Sequence, residues 1–283
     1  MYFPKGFNSA RSIELAELIC QAYAQFDAFE SGKPWKLPGK YALRTEFTYL
    51  WVPGRSIEKG IRNFDLILRR LSRSRQHKDV KIPIGFVAQR KENYFLILRG
   101  TETVNEWIRN ISISLSSFAI PKYGRVHGGF LQTYKAVRKD IMEALSRIDL
   151  KAKLYVAGHS LGGDLTTLAL PDIEANLNRK VSALYTYGSP RVGDNTFVTA
   201  FNRAFGHRSF RVANTSDIVT SIPLPGPIAR IVGGYFSHVD TPVDLTVQKD
   251  DLEQNHDMRT YLCALNEEQG HKGFIGKLFE QGV

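Results

Sequence analysis

Two cysteines in 283 residues are too few for a disulfide framework. Cys20 and Cys263 fall in apolar helical patterns and read as packing residues, compatible with a reducing compartment. No stretch approaches the ~20 apolar residues of a membrane span. The start, Met1-Tyr2-Phe3-Pro4-Lys5-Gly6, lacks a charged region followed by an apolar core and a small-residue cleavage site. The sequence-based expectation is therefore a soluble, cytoplasmic protein. No Pro/Gly/Ser-rich linker divides the chain, so one domain over residues 1–283 is expected, with a helical segment at 1–80 packed on it. Acid is also scarce: Asp and Glu number 28 against 38 Lys and Arg, a formal net charge of +10. The basic cluster Arg69-Arg70-Leu71-Ser72-Arg73-Ser74-Arg75-Gln76-His77-Lys78 reads as a solvated helix end and loop. Nucleic acid is set aside as a partner, because no helix-turn-helix, zinc or RNA-binding signature accompanies the charge. Peripheral contact with an anionic membrane surface stays open.

What is present is an alternation of patterns. Leu15, Ile19, Tyr23 and Phe26 repeat at helical spacing, as do Ile61, Phe64, Leu68 and Leu71. The period then shortens at Ile84–Ala88 and Tyr94–Leu98, which read as an antiparallel hairpin. Val104, Trp107, Ile108 and Ile111 form a short apolar stripe, and Ile111, Ile113 and Leu115 alternate with serines as in a strand. A long amphipathic helix follows Phe130. Further strands are expected at Leu154–His159, Val181–Tyr187, Ser209–Ala213 and Tyr235–Val239, with a kink or break at Pro171 in the helix after Ser160. Strands alternating with helices indicate an α/β fold with a mostly parallel central sheet and helices on both faces.

The chemistry concentrates at Gly158-His159-Ser160-Leu161-Gly162, where an apolar strand runs into a serine flanked by glycines and then a helix. That is the context of a nucleophile elbow. Ser160 is the candidate nucleophile. A serine needs a histidine to take its proton and an acid to orient that histidine, and in strand–elbow–helix hydrolases these follow in the order acid, then histidine. His77, His127 and His159 precede Ser160; His159 and His127 read as structural. Among the later histidines, His207, His238 and His271 fit less well than His256, which stands on a polar loop before an apolar helix. Asp217, just past a strand, is the candidate acid, with Asp194 and Asp240 as competitors. Two donors are needed for an oxyanion: the Leu161 N–H, and the N–H or hydroxyl of Thr101 after the second hairpin strand. The stripe Val104, Trp107, Ile108 and Ile111, next to Thr101, is the candidate lid.

These residues, together with Arg99-Gly100-Thr101, Val126-His127-Gly128-Gly129-Phe130, Tyr187-Gly188-Ser189-Pro190-Arg191, Pro223 and Tyr261, resemble the motifs of the class 3 lipase family in their order. The family comprises fungal-type triacylglycerol lipases with bacterial and plant relatives, and the likeness spans about two thirds of the chain. The resemblance implies an α/β-hydrolase fold, hydrolysis of acylglycerol or polar-lipid esters, and no metal or organic cofactor. It supports Thr101 and Leu161 as the oxyanion pair and the Trp107 segment as a lid. Two features depart from it. Asp164 occupies a position that is usually small, and its removal is expected to leave activity unchanged or raise it. The disulfides and signal sequence of secreted members are missing, which argues against an extracellular digestive role. The competing reading is a non-catalytic lipase-like module that binds a ligand or partner. Retention of all three triad candidates and of Thr101 speaks against that reading.

Overall fold

The computed structural model describes residues 3–51, 80–101, 114–223 and 235–268. Helix α1 (Ser9–Ser31) starts where the Asn8 side chain accepts from Arg11 N and ends at Gly32 in the left-handed region. Its buried stripe of Leu15, Leu18, Ile19 and Ala22 docks on the sheet, each large side chain contributing roughly 1.5–3 kcal/mol.

The sheet has seven strands in the order β1-β2-β3-β6-β7-β8-β9. The first three, β1 (Ala42–Trp51), β2 (Val80–Arg90) and β3 (Asn93–Leu98), pair antiparallel. From β3 onward, β6 (Lys153–His159), β7 (Val181–Tyr187), β8 (Ser209–Asn214) and β9 (Thr241–Leu245) pair parallel. A small ribbon, β4 (Leu115–Ser117) with β5 (Arg125–His127), stands apart.

Alternation along each strand divides the core. Leu96, Leu98, Leu154, Val156 and Leu184 face one cluster, which includes Tyr134 and Ile141 of α2 (Gly128–Ser146), Leu165 and Leu168 of α3 (Leu161–Leu177), and Phe197 and Phe201 of α4 (Asn195–Phe205). Phe95, Ile97, Ala157, Tyr185 and Val212 face the other, with α1 and with Tyr261, Leu262 and Leu265 of α6 (Met258–Glu268). The short helix α5 (Leu252–His256) precedes α6. Both faces of the parallel strands are thus covered by helices, which accounts for their near-continuous apolar runs.

Three expectations need correction. The segment 1–80 is not helical throughout, since Ala42–Trp51 is the sheet's edge strand. Of the kink or break expected at Pro171, the break is absent: helix α3 runs through it without ending, because the buried turns on both sides outweigh one missing N–H donor. Of the alternating stretch from Ile111, Leu115 does lie in a strand, Leu115–Ser117, while Ile111 and Ile113 lie outside the described residues. The late strand is Thr241–Leu245 rather than Tyr235–Val239, where Ser237 makes only an isolated bridge to Gly193. The amphipathic run from Ile61, the basic cluster and the lid residues Val104, Trp107, Ile108 and Ile111 lie outside the described residues.

Candidate active site

Register fixes where the site collects. Leu98 pairs with Gly158, and His159 pairs with Tyr187. Thr101, Ser160, Gly188 and Asp217 therefore all follow carboxyl ends of adjacent parallel strands, the edge at which open α/β sheets carry their sites.

Ser160 holds φ 55° and ψ −129°, a sparsely populated conformation costing on the order of 1–3 kcal/mol. The close crossing of β6 and α3 sustains it. A Cβ on Gly158 would stand 2.1 Å from the Gly162 carbonyl oxygen, and one on Gly162 would stand 2.3 Å from that of Leu98. At the helix start, Leu161 is the first residue of α3, and an N–H in that position has no acceptor within the helix. Thr101, 6% exposed, follows β3. A Cβ on its neighbour Gly100 would come within 2.6 Å of Ser160 Cβ, so this loop abuts the candidate nucleophile.

Asp217 and His256 meet: His256 Nδ1 lies 2.7 Å from Asp217 Oδ2, with both side chains buried. Tyr261 Oη donates to the same carboxylate oxygen at 2.5 Å, and Val219 N donates to Oδ1 at 2.9 Å. His256 Nε2 is buried and has no hydrogen-bond partner among the described residues. One imidazole nitrogen is thereby fixed on an acid and the other is left for chemistry. Gly188, at φ 54°, lies beneath the pair; a Cβ there would stand 3.0 Å from both Asp217 Oδ2 and His256 Cε1.

Four further residues support this arrangement, of which the sequence reading assigned a role only to His159, as structural. His159 Nε2 bonds the His256 carbonyl oxygen at 2.8 Å, and His159 Nδ1 bonds Tyr23 Oη at 2.7 Å. Since a carbonyl only accepts, Nε2 carries the proton and Nδ1 accepts from the tyrosine. Burial, reinforced by His256 nearby, holds the His159 pKa well below its ordinary value, in accord with a neutral ring. Tyr23 Oη in turn accepts from Gly100 N at 3.1 Å. A chain of hydrogen bonds thus runs from the Thr101 loop through α1 and the elbow to the backbone of His256. Tyr261 orients the acid, and Asn214 Nδ2 donates to the Asn255 carbonyl at 3.1 Å, steadying the same loop. Helical spacing hid these roles, since Tyr23 and Tyr261 also fit an apolar stripe.

The competing acids and bases are occupied elsewhere. Asp194 caps α4 through Phe197 N and pairs with Arg125. Asp240 is a buried neighbour of Arg211. His238 Nε2 bonds the Thr220 carbonyl at 2.6 Å, and burial together with Arg211 pushes its pKa down to about 3. His127 caps α2 and stacks on Phe130. Asp164 is fully buried, its Oδ1 accepting from Ser189 Oγ at 3.0 Å, and burial raises its pKa well above the ordinary carboxylate value. A cavity of about 420 Å³ opens between α1 and the α5–α6 segment, bordered by Thr101, His159 and His256.

The comparisons with known proteins concern this same region. Residues 95–226 match the family model "Lipase (class 3)". A lipase of Rhizopus niveus is 32% identical over 148 residues, 49% of this chain and 37% of that protein. The phospholipase A1-II 2 of Oryza sativa subsp. indica is 27% identical over 227 residues, 67% of this chain and 56% of the relative. The chain thus spans roughly a third to just over half the length of these two relatives. The crystal structure of a lipase from Rhizopus microsporus var. chinensis superposes with a TM-score of 0.59 at 23% identity, covering 87% of this chain and 77% of that one, and shares the fold. Residues 95–226, which hold Thr101, the Ser160 turn and Asp217, are thus similar to the class 3 lipase family.

Proposed function

We propose that the protein is a serine hydrolase of carboxylic esters in acylglycerols or polar membrane lipids. Ser160 Oγ attacks the ester carbonyl as His256 Nε2 takes its proton. The tetrahedral oxyanion is met by the N–H groups of Thr101 and Leu161, and Asp217 stabilises the imidazolium. Collapse expels the alcohol, protonated by His256, and leaves an acyl-Ser160 ester. Water, deprotonated by the same imidazole, then releases the acid. The observation that carries this reading is the buried Asp217–His256 pair, with Nε2 unpartnered among the described residues, at the sheet edge where the strained Ser160 turn stands.

Similarity to both a lipase and a phospholipase A1 supports lipid esters over small soluble ones. The charge of +10 favours work at an anionic membrane surface, reached from the cytoplasm as a peripheral contact. Among the described residues no helix is long and apolar enough to cross a membrane. The test is a panel of triacylglycerol emulsions, phospholipid vesicles and galactolipid vesicles, with and without anionic lipid. Fatty acid release is expected from at least one, faster with anionic lipid and reduced at least about a thousandfold in Ser160→Ala. No release from any lipid, or release that survives the substitution, would contradict the reading and favour a binding module.

A further inference from the structure

We propose that Arg99 and Tyr23 are positioning residues: between them they fix the Gly100–Thr101 peptide so that its N–H faces the ester carbonyl attacked by Ser160. The inference rests on the hydrolase reading above, in which the Thr101 N–H meets the oxyanion. It adds two residues to which that reading gives no part in the reaction. Gly100 lies beyond Leu98, the last residue of β3, and there side chains take over from the strand ladder. Arg99 Nη1 donates to the Gly100 carbonyl oxygen at 2.6 Å, and Gly100 N donates to Tyr23 Oη at 3.1 Å. In a trans peptide the carbonyl and the N–H point in opposite directions. A guanidinium that holds the Gly100 oxygen therefore turns the Thr101 N–H away from itself. It also polarises the amide, which makes that N–H the better donor.

The guanidinium is itself anchored. Arg99 is buried, its Nε donates to the Pro83 carbonyl at 2.9 Å, and its central carbon lies 3.9 Å from the centre of the Phe26 ring. An irregularity in β2 presents the acceptors: pairing with β1 passes from Gly85 to Pro83 and skips Ile84. The Ile84 oxygen accepts from Arg99 N at 2.9 Å, beside the Pro83 oxygen that takes Nε. Bulges of this kind re-aim groups next to active sites. Tyr23 stands three residues before Phe26 on α1, so one helix braces both sides of the peptide. The space beyond Gly100 is closed as well, since a Cβ there would stand 2.9 Å from the His159 carbonyl oxygen as well as against Ser160. With the loop this near the Ser160 turn, any tilt of the peptide plane passes directly into the distance between its N–H and the oxyanion.

The test compares an oxygen ester with the thionoester of the same acid and alcohol, in which sulfur replaces the carbonyl oxygen. Sulfur is the poorer hydrogen-bond acceptor and sits farther from carbon, so the kcat/KM ratio of the pair reports the fit of the oxyanion donors. The ratio is internal to each preparation and does not depend on how much of a variant folds. Wild type is expected to favour the oxygen ester at least about a hundredfold beyond the ratio set by hydroxide in water. That excess should shrink at least about tenfold in Arg99→Met and about threefold in Tyr23→Phe. A role in packing alone would slow both esters together and leave the ratio unmoved, as would the lost Tyr23 bond to His159, which acts on His256. If Arg99→Met does not fold, Tyr23→Phe, which keeps the ring, decides alone. No excess in wild type, or an excess unchanged in either folded variant, overturns this inference and leaves the hydrolase reading standing. Hydrolysis of neither ester, or hydrolysis that persists in Ser160→Ala, overturns both.

Discussion

Asp164 stands in the first turn of α3, where an ionised carboxylate would suit the helix dipole but oppose an oxyanion forming at the same terminus. Burial eases the conflict by favouring the protonated form: the side chain is fully enclosed, accepts from Ser189 Oγ, and its pKa is raised well above the ordinary carboxylate value. A neutral acid presents no opposing charge to the reaction. The raised pKa also means that the folded state retains a proton the unfolded chain releases. The stabilisation is complete below the ordinary carboxylate pKa and is lost as pH rises through the folded value. Asp164→Asn, which keeps an acceptor for Ser189, should therefore melt close to wild type near pH 4 and a few degrees higher near pH 8, about what 1 kcal/mol gives in a chain of this size. Thermal melts across that range check it. A difference that stays constant with pH would show that the charged form plays no part. Its activity at neutral pH should stay within a few-fold of wild type.

At the scale of elements, the strand–serine–helix unit depends on two backbones passing at a distance no side chain fits. The atoms opposing a Cβ at Gly158 or Gly162 are carbonyl oxygens of Gly162 and Leu98, which cannot swing aside as a flexible side chain would. Gly162→Ala should therefore cost more than about 3 kcal/mol and remove activity with the fold, measured by chemical denaturation alongside ester hydrolysis. A stable, active variant would mean the crossing is looser than described. This unit was legible in sequence because its spacing of glycines and its change from strand to helical period are local. Strand β1 was not. Thr45, Phe47 and Tyr49 alternate as strand residues do, but register shifts between Leu43 and Thr45 and between Phe47 and Thr48 break the period by which a strand is recognised. The helix through Pro171 escaped for a different reason: tertiary burial overrode a local breaker.

Over the whole molecule, chain order and loop position favour Asp217 over Asp194 and Asp240 and His256 over the other later histidines, and the two are in hydrogen-bond contact across 39 residues. The supports around them were beyond local pattern, since Tyr23 reaches His159 across 136 residues and His159 reaches His256 across 97. Each such residue reads in sequence as a packing residue, and only the assembled sheet edge gives it a polar partner. The central claim is that one hydroxyl acquires unusual nucleophilicity because distant segments meet there. Its most direct measurement is the intact mass and peptide map of the folded protein after treatment with a fluorophosphonate. We predict a single adduct on Ser160, absent in Ser160→Ala and slowed at least about a hundredfold in His256→Ala. A folded protein that takes up no label, or takes it on another residue, would contradict the account.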